Sequence, residues 1–407
     1  MDSRKQLSCF PLSNFPFPVV QQALCKLWIC SLVIVLSLHT TAGMAVKSPY
    51  DTIEQAASYV IKHQNDDGGW PLIPGGKSDV EVTAIAMQAL MLKGWGSGSS
   101  VIRRGVSYLI KHQRSDGSWN GNAAHTIFAA IALKRAETVE YWEAQFNGLK
   151  WLEDAQKESG SWGREIRQSG NPLYTAAVLA GLGQLDFDRE SELVTKAADW
   201  LAYRVLFSID LAFQSELDNK KSASVGLRRE FAENGATLLN RTTIVIEEKG
   251  YRWLIGDARG EYLVKKEGEA LSVCVSRINE DGGWSMVYGE RSDVLVTSWV
   301  LQGLSIAYDV SLQIVWLKQM QNDDGGFGRW KGAPSDPEIT AYAVLALVIG
   351  EDPLNADQVA LRYLREVQQE DGSFVSATPI ELKEPTANLQ TTCFVLWAVY
   401  AGKLKGK

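Results

Sequence analysis

The 407-residue sequence has few of the side chains that bind metals or form disulfides. It contains five cysteines and four histidines, and three of the cysteines lie within the first 30 residues. The other two, Cys274 and Cys393, both lie in apolar runs. No histidine belongs to an H-E-x-x-H or a similar arrangement. The sequence therefore indicates neither a disulfide framework nor a metal site, and we predict no cofactor.

Basic segments are also scarce. Lysine and arginine total 41 against 48 aspartates and glutamates, which gives a net charge of −7 at pH 7. No sustained run of basic residues is present. Because nucleic-acid binding needs a basic surface for the phosphates, we exclude a nucleic-acid partner.

An apolar run near the N-terminus suggests targeting. Residues 27–38 are almost wholly apolar, follow Lys26 and lead to small residues that end near Ala45. A basic flank, a short apolar core and small residues are typical of an export signal, and the run is short for a membrane span. We predict that residues 1–45 form a signal peptide or an N-terminal anchor, and that the protein is periplasmic or extracellular. If Met44 is the true start, the protein is cytoplasmic.

One short motif occurs six times. It consists of glutamine, three residues, glycine, one residue and an aromatic residue, and the fourth copy has Ile278 in place of the glutamine. Each copy follows an amphipathic run and precedes a run of small apolar residues. An outer helix, a glycine turn and a fully buried inner helix would form one unit. We predict an all-α fold, an (α/α)6 toroid or barrel of six helical-hairpin repeats. The motif aromatics are Trp70, Trp119, Trp162, Trp284, Phe327 and Phe374.

The fourth repeat contains an insertion. The motif aromatics are 49, 43, 122, 43 and 47 residues apart. Residues 197–201 resemble residues 56–60, which places the fourth aromatic near position 211 without an insertion of about 73 residues. We predict toroid repeats in 46–204 and 278–407, separated by an insertion at 205–277 that lies over the mouth of the toroid. Its second half alternates as a β-meander of four strands, at 242–248, 251–256, 261–266 and 271–276.

One face of the inner helices carries the candidate site. These helices align on a threonine, and the residues two before and two after it are four apart, so they share a face. We predict that the earlier positions line the mouth of a central cavity and the later positions line the wall below. Carboxylates above aromatic faces suit carbocation chemistry, because an acid can start the reaction and aromatic rings stabilise the cation. The carboxylates are Glu81 and Glu338, and the aromatics are Phe128, Trp299, Tyr342 and Phe394.

The repeats resemble the QW motifs of the squalene/hopene cyclase and protein prenyltransferase superfamily, over roughly residues 50–400 apart from the insertion. The resemblance implies that the motif glutamines and aromatics brace neighbouring helices. It also implies a terpenoid cyclase, an isomerase or lyase that starts cyclisation of an apolar polyisoprenoid by protonation. Association with a membrane surface is a further expectation.

The cyclases donate the proton from an Asp-x-Asp-Asp motif followed by threonine. The segments DVEVT at 79–83 and DPEIT at 336–340 resemble it, with glutamate at the middle position and an apolar residue at the last. Of the three aspartates in the cyclase motif, each segment therefore keeps the first, has glutamate for the second and lacks the third. By resemblance the catalytic candidates are Glu81, Asp79, Glu338 and Asp336, and the substrate-binding candidates are the four aromatics named above.

The prenyltransferase branch holds zinc with an Asp-x-Cys pair and a histidine. The nearest match, Asp293-Val294-Leu295, lacks the cysteine, and Thr391 stands near the histidine position. We therefore predict no zinc and no protein prenylation.

Three alternatives stay open. Ser78 to Glu81 and Ser335 to Glu338 both fit an S-x-x-E capping box, which needs no ligand. The aromatics would then fill the core, and the chain would be a non-catalytic toroid that binds an apolar ligand or a protein partner. A secreted polysaccharide lyase on an α/α barrel is another alternative, although no Ca²⁺-binding acid cluster is found for it.

Overall fold

A computed structural model of the chain describes residues 48–137, 141–202, 278–279, 281–286, 290–350, 356–379 and 382–405, together with Lys5–Gln6 and the strands of the insertion. This part of the chain contains twelve α-helices. In chain order, α1 to α12 are Pro49–Lys62, Val80–Leu92, Ser100–Lys111, Ala123–Ala136, Tyr141–Ala155, Pro172–Gln184, Glu192–Ala202, Val294–Leu304, Ser311–Gln319, Pro337–Ile349, Ala356–Val367 and Leu389–Lys405.

The even-numbered helices form a closed inner ring. Each of them packs against the next, and α12 packs against α2. Their small and apolar residues are buried on nearly all sides, whereas odd-numbered helices such as α1, α3 and α11 bury one face only. The predicted (α/α)6 toroid is confirmed.

The motif glutamines join successive repeats by hydrogen bonds. In the first repeat, Gln64 Nε2 donates to the carbonyl of Gly68 at 2.8 Å and to that of Val101, on the next outer helix, at 2.9 Å. In the last repeat, Gln368 Nε2 donates to Thr52 at 3.1 Å and so links the end of the ring to its beginning. The same pair of bonds is made by Gln113, Gln156 and Gln321.

The motif aromatics are fully buried between an outer and an inner helix. The Trp70 indole donates to the carbonyl of Val60 at 2.7 Å, and its backbone N–H donates to Thr83 Oγ1 at 2.9 Å. In all six repeats the aligned threonine accepts the motif aromatic's N–H, so the alignment of the inner helices reflects a repeated contact.

The indole hydrogen bond also gives the length of the insertion. In the first three repeats it spans 10 residues. In the fourth, Trp284 donates to the carbonyl of Leu201 at 3.1 Å across 83 residues. The difference of 73 residues equals the length expected from the spacing of the motifs.

The insertion contains more strands than predicted, and they form two sheets. In one sheet, Ala270–Ser276 pairs antiparallel with Tyr203–Asp210 on one side and with Glu261–Glu267 on the other. The other sheet is antiparallel too, and its strand order is Leu227–Phe231, Tyr251–Gly256, Thr243–Glu248, Ala236–Asn240. All four predicted strands are present, and they pair first with second and third with fourth. The second and third belong to different sheets, so the four do not form one continuous meander, because alternation identifies a strand but not its partner. The strands are Tyr203–Asp210, Leu227–Phe231, Ala236–Asn240, Thr243–Glu248, Tyr251–Gly256, Glu261–Glu267 and Ala270–Ser276.

Three short strand pairs complete the described structure. Two of them are antiparallel and join a motif turn to the start of an inner helix, and the third is parallel. They pair Trp70–Pro71 with Ser78–Asp79, Phe374–Ser376 with Thr386–Asn388, and Lys5–Gln6 with Tyr308–Asp309.

Two predictions about the ends of the toroid stay predictions. The predicted export signal, apart from Lys5–Gln6, lies outside the described residues, and the predicted position of the insertion over the mouth is untested. Within the residues that are described, no helix is long and apolar enough to cross a membrane.

Candidate active site

A cavity of about 460 Å³ lies where the inner helices begin. Every residue two before the aligned threonines lines it, and so do five of the six residues two after; Ile85 is the exception. The earlier set is Glu81, Ala124, Leu173, Leu295, Glu338 and Gln390, and the later set is Phe128, Ala177, Trp299, Tyr342 and Phe394.

The four predicted aromatics form one continuous cluster in the cavity wall. Ring centroids are 5.6 Å apart for Phe128 and Trp299, 5.5 Å for Trp299 and Tyr342, and 4.7 Å for Tyr342 and Phe394. All four side chains are buried, and their rings are tilted or edge-to-face. The cluster therefore packs as core and also supplies the wall, which makes the two sequence-based alternatives for these residues compatible.

Glu338 is fully buried in the same wall, at the start of α10. Its Oε1 accepts hydrogen bonds from the Tyr342 hydroxyl at 2.7 Å and from Gln390 Nε2 at 2.8 Å. Its Oε2 accepts from the Thr391 hydroxyl. All three donors are neutral groups, so the carboxyl group has no cationic partner among them.

Burial raises the pKa of Glu338 from its ordinary value of 4.5 to about 7, and the hydrogen bonds from Thr391, Tyr342 and Gln390 oppose that rise. The nearby charge of Asp336 raises the pKa further. At neutral pH a substantial fraction of this group therefore carries a proton, as a general acid requires.

Asp79 and Asp336 are the N-caps of α2 and α10 and are absent from the cavity lining. Asp336 Oδ1 accepts the backbone N–H of Glu338 at 2.8 Å, and both its oxygens accept from the Ser376 hydroxyl. Asp79 Oδ1 accepts the backbone N–H of Glu81 at 2.8 Å. Each aspartate thus fixes the helix turn that carries the glutamate.

The capping-box alternative is wrong for both segments. Ser78 Oγ donates to Asp67 at 2.7 Å, and Ser335 Oγ donates to Asp324 at 2.8 Å, so both serines stabilise the preceding motif turn. The aspartate after each serine takes the cap because its carboxylate reaches two helix N–H groups. The glutamates are therefore free of the capping role and face the cavity.

Glu81 pairs with His125, a residue that the sequence did not single out. His125 Nε2 lies 3.1 Å from Glu81 Oε2, and Asn120 Nδ2 lies 3.1 Å from His125 Nδ1. Burial lowers the pKa of His125, but the hydrogen bond and charge of Glu81 outweigh burial and leave it above its ordinary value. The sequence feature that could have identified His125 is its position directly before an aligned threonine, on the inner helix next to the one that carries Glu81.

Two arginines and one loop of the cavity wall were also missed. Arg164 and Arg329 each follow a motif aromatic by two residues, and both are exposed at the rim. The loop with Ala377, Thr378 and Pro379 contributes to the wall too. The sequence feature that could have identified this loop is its length. The motif aromatic and the aligned threonine are 18 residues apart in the sixth repeat, but 13 apart in four other repeats.

The positions that hold zinc in prenyltransferases have other contacts here. Asp293 Oδ2 accepts from Arg329 Nε at 3.0 Å, and Thr391 donates to Glu338. Across the described residues, no group of three histidine, cysteine, aspartate or glutamate side chains is arranged to hold a metal ion.

Comparisons with known proteins agree with the observed fold. The model of the squalene-hopene cyclase C-terminal domain matches residues 28–129, and the model of the prenyltransferase alpha-alpha toroid domain matches residues 309–399. The resemblance to the terpenoid cyclase and prenyltransferase superfamily is confirmed.

Similar solved structures share the fold. The type II terpene cyclase MstE from Scytonema is 14% identical, with a TM-score of 0.56 over 88% of this chain and 98% of MstE. A variant of MstE has also been solved in complex with geranylgeranyl dihydroxybenzoate, its substrate. An alpha-amylase from Clostridium perfringens is 13% identical, with a TM-score of 0.51 over 86% of this chain and 97% of the amylase.

One curated relative matches locally. Drimenyl diphosphate synthase from Streptomyces showdoensis is 46% identical over 65 residues. That match spans 15% of this chain and 12% of the relative.

Proposed function

We propose that this protein is a type II terpenoid cyclase, an isomerase in which Glu338 protonates an alkene of a polyisoprenoid folded in the central cavity. The observation that carries the proposal is a fully buried carboxyl group in the wall of an aromatic cavity. The fold shared with MstE and the local match to drimenyl diphosphate synthase support it.

The reaction would conserve every atom of the substrate. The Glu338 carboxyl gives its proton to one alkene carbon, and the other carbon becomes cationic. Further alkenes attack the cation in turn, and each attack forms a ring bond. A basic group of the wall then removes a proton from the last cation, which leaves an isomer of the substrate. The faces of Trp299, Tyr342, Phe128 and Phe394 stabilise the passing positive charge.

Glu81 is suited to the final deprotonation. It lies on α2, separated from α10 by α12 in the inner ring, and its carboxylate faces the same cavity as Glu338. Glu81 Oε2 lies 3.1 Å from His125 Nε2, whereas Glu338 is buried among neutral donors. Two carboxyl groups with different surroundings in one site can take the separate roles of acid and base.

The cavity size favours a short polyisoprenoid. A cavity of about 460 Å³ lies in the lower half of the range of small-molecule sites, about 300–1,000 Å³. We therefore propose a substrate nearer to C15 than to C30.

The test is product formation from C10, C15, C20 and C30 isoprenoids, with wild type, Glu338→Gln and Glu81→Gln. We expect cyclic isomers from wild type and a loss of at least about 100-fold in Glu338→Gln, as for removal of a general acid. Glu370→Gln, an exposed change, is the control and should stay active. Equal activity of wild type and Glu338→Gln would contradict the assigned acid, and no product from any substrate would contradict the cyclase.

A non-catalytic toroid that binds an apolar ligand is the second candidate. It is favoured by the three hydrogen bonds that satisfy Glu338 without any ligand. It predicts isoprenoid binding without turnover. The alpha-amylase likeness concerns the fold alone. For either candidate function, we also propose export through residues 1–45 and association with a membrane surface.

A further inference from the structure

A second cavity, of about 480 Å³, lies at the opposite end of the toroid. The candidate active site lies where the inner helices begin, whereas Gln184, Ser305 and Ile349 of the second cavity lie where α6, α8 and α10 end. In the part of the chain that the structure describes, no residue lines both cavities. On α8, Trp299 lines the first cavity and Gln302, about one helical turn later, lines the second. The proposed cyclisation therefore leaves the second cavity unused.

Gln302 offers this cavity a hydrogen-bond acceptor. Its side chain is only 7% exposed, and its Nε2 donates to the carbonyl of Ser298 at 3.1 Å. Because a carbonyl oxygen can only accept, the amide nitrogen must face Ser298, and Oε1 is the free end of the amide. None of the described residues donates a hydrogen bond to that oxygen. A buried polar atom without a partner costs stability, so Gln302 Oε1 gains from a ligand that donates to it.

Gln184 offers the same cavity a hydrogen-bond donor. Its Oε1 accepts from Arg135 Nη2 at 2.9 Å. Since a guanidinium group can only donate, the amide oxygen must face Arg135, and Nε2 is the free end. Among the described residues, nothing accepts from that nitrogen. The Arg135 guanidinium is itself held over the ring of Trp397, 5.6 Å from the ring centroid. The second cavity thus has a donor from α6 and an acceptor from α8, and the partner of each amide sets its orientation.

The surroundings favour a neutral ligand. Asp186, at the opening, is paired with Lys134 at 3.2 Å, and the exposed Arg189 has an acidic residue on either side in the sequence. The C-terminal ends of α6, α8 and α10 carry partial negative charge, which disfavours an anion, whereas Arg135 and Arg189 disfavour a cation. The rest of the lining is mostly apolar and includes Phe187, Ile306 and Ile349.

We infer that the second cavity is a binding site for a neutral molecule that has an apolar body and a hydroxyl group. A hydroxyl group has both a donor for Gln302 Oε1 and an acceptor for Gln184 Nε2. The apolar body would pack against the apolar part of the lining. The volume lies within the range of small-molecule sites, about 300–1,000 Å³. This inference goes beyond the proposed cyclase and does not rest on it.

A thiol inside the cavity reports the occupancy of this site alone. Ser305→Cys places one in the lining, and Ser107→Cys places one on the exposed face of α3 as the control. Alkylation of each full-length variant by N-ethylmaleimide is followed by mass spectrometry of the peptide that carries the new thiol. The probes are menthol, menthone and menthane, which share one carbon skeleton. Menthol can donate and accept hydrogen bonds, menthone can only accept, and menthane can do neither.

We expect menthol to slow alkylation of Ser305→Cys at a concentration at least about 10-fold below that needed with menthone, as one buried hydrogen bond allows. Menthane should protect least, and Ser107→Cys should react at the same rate with and without any probe. Gln302→Met, added to Ser305→Cys, keeps the shape of the side chain but removes the acceptor. Menthol should then protect no better than menthone. Gln319→Met, an exposed change on α9, should leave the advantage of menthol intact.

The inference is overturned by equal protection from all three probes, by no protection from any, or by equal protection of Ser107→Cys. A Gln302→Met chain that keeps the advantage of menthol would overturn it too. If Gln302→Met does not fold, Gln184→Met tests the other amide: it should weaken menthol and menthone alike, and an unchanged response to both would contradict the site. None of these outcomes depends on turnover, so a failure of the cyclase proposal would leave them as they are.

Discussion

At the scale of single residues, Glu81 and Glu338 hold equivalent positions in two repeats but have different surroundings. Glu338 is fully buried among neutral donors, whereas Glu81 is partly exposed and faces His125. The sequence predicted the positions of both, because four-residue spacing on a helix fixes the shared face. It could not predict the difference, since Thr391, Gln390 and His125 belong to other helices and reach the glutamates only in the closed ring.

Glu338 should make the stability of the protein depend on pH. Its folded pKa of about 7 exceeds its ordinary value of 4.5, so the folded state binds the proton more tightly. The unfolding free energy should therefore fall as pH rises from about 4.5 to 7, by up to about 3 kcal/mol. In Glu338→Gln this decrease in unfolding free energy should be absent. The difference in unfolding free energy, variant minus wild type, should therefore increase with pH.

Urea unfolding at pH 5 and pH 8 checks this expectation. Glu370→Gln removes an exposed carboxyl group, so its pH profile should match that of wild type. A Glu338→Gln profile parallel to wild type would show that burial does not hold the proton on Glu338.

At the scale of elements, the contact between repeats four and five differs from the others. The fourth motif lacks the glutamine, and a Cβ on Gly282 would meet nothing closer than Trp316 Cδ1 at 3.7 Å. At Gly117 a Cβ would lie 2.5 Å from the carbonyl oxygen of Asn147 on the next outer helix. The junction between repeats four and five, where the insertion enters, therefore lacks both the glutamine and the close approach of the next outer helix to the motif glycine. The repeat pattern in the sequence showed that the glutamine is missing. The larger distance between Gly282 and α9 could not be predicted, because it depends on where α9 packs in the folded ring.

Alanine at these two glycines should separate packing from backbone conformation. Gly117 and Gly282 have φ values of 89° and 91°, so alanine should destabilise both by roughly 1 kcal/mol through conformation. Gly117→Ala should lose about 1–3 kcal/mol more, because its methyl group would collide with the Asn147 carbonyl. Chemical denaturation of the two variants measures the difference. Equal losses would mean that the close approach of the helices is not maintained in solution.

At the scale of the whole molecule, the ring is closed twice, by α12 against α2 and by the Gln368 bond to Thr52. Six motif copies predicted this architecture, since inner helices without a polar face need neighbours on both sides. The length of the insertion followed from the same repeats. Its sheets did not, because strand partners far apart in sequence depend on the folded chain. The arginines at the rim were missed for a similar reason: loops of unequal length carry no helical periodicity.

The closed ring creates one chamber in which a buried carboxyl group and aromatic side chains meet. The central claim is that Glu338 transfers a proton to carbon in this chamber. The most direct measurement is turnover of a C15 isoprenoid in D₂O, followed by mass spectrometry of the product. The account predicts that each product molecule gains one non-exchangeable deuterium, and that Glu338→Gln forms this product at least about 100-fold more slowly. A cyclic product without deuterium, or the same labelled product formed by Glu338→Gln at the rate of wild type, would contradict it.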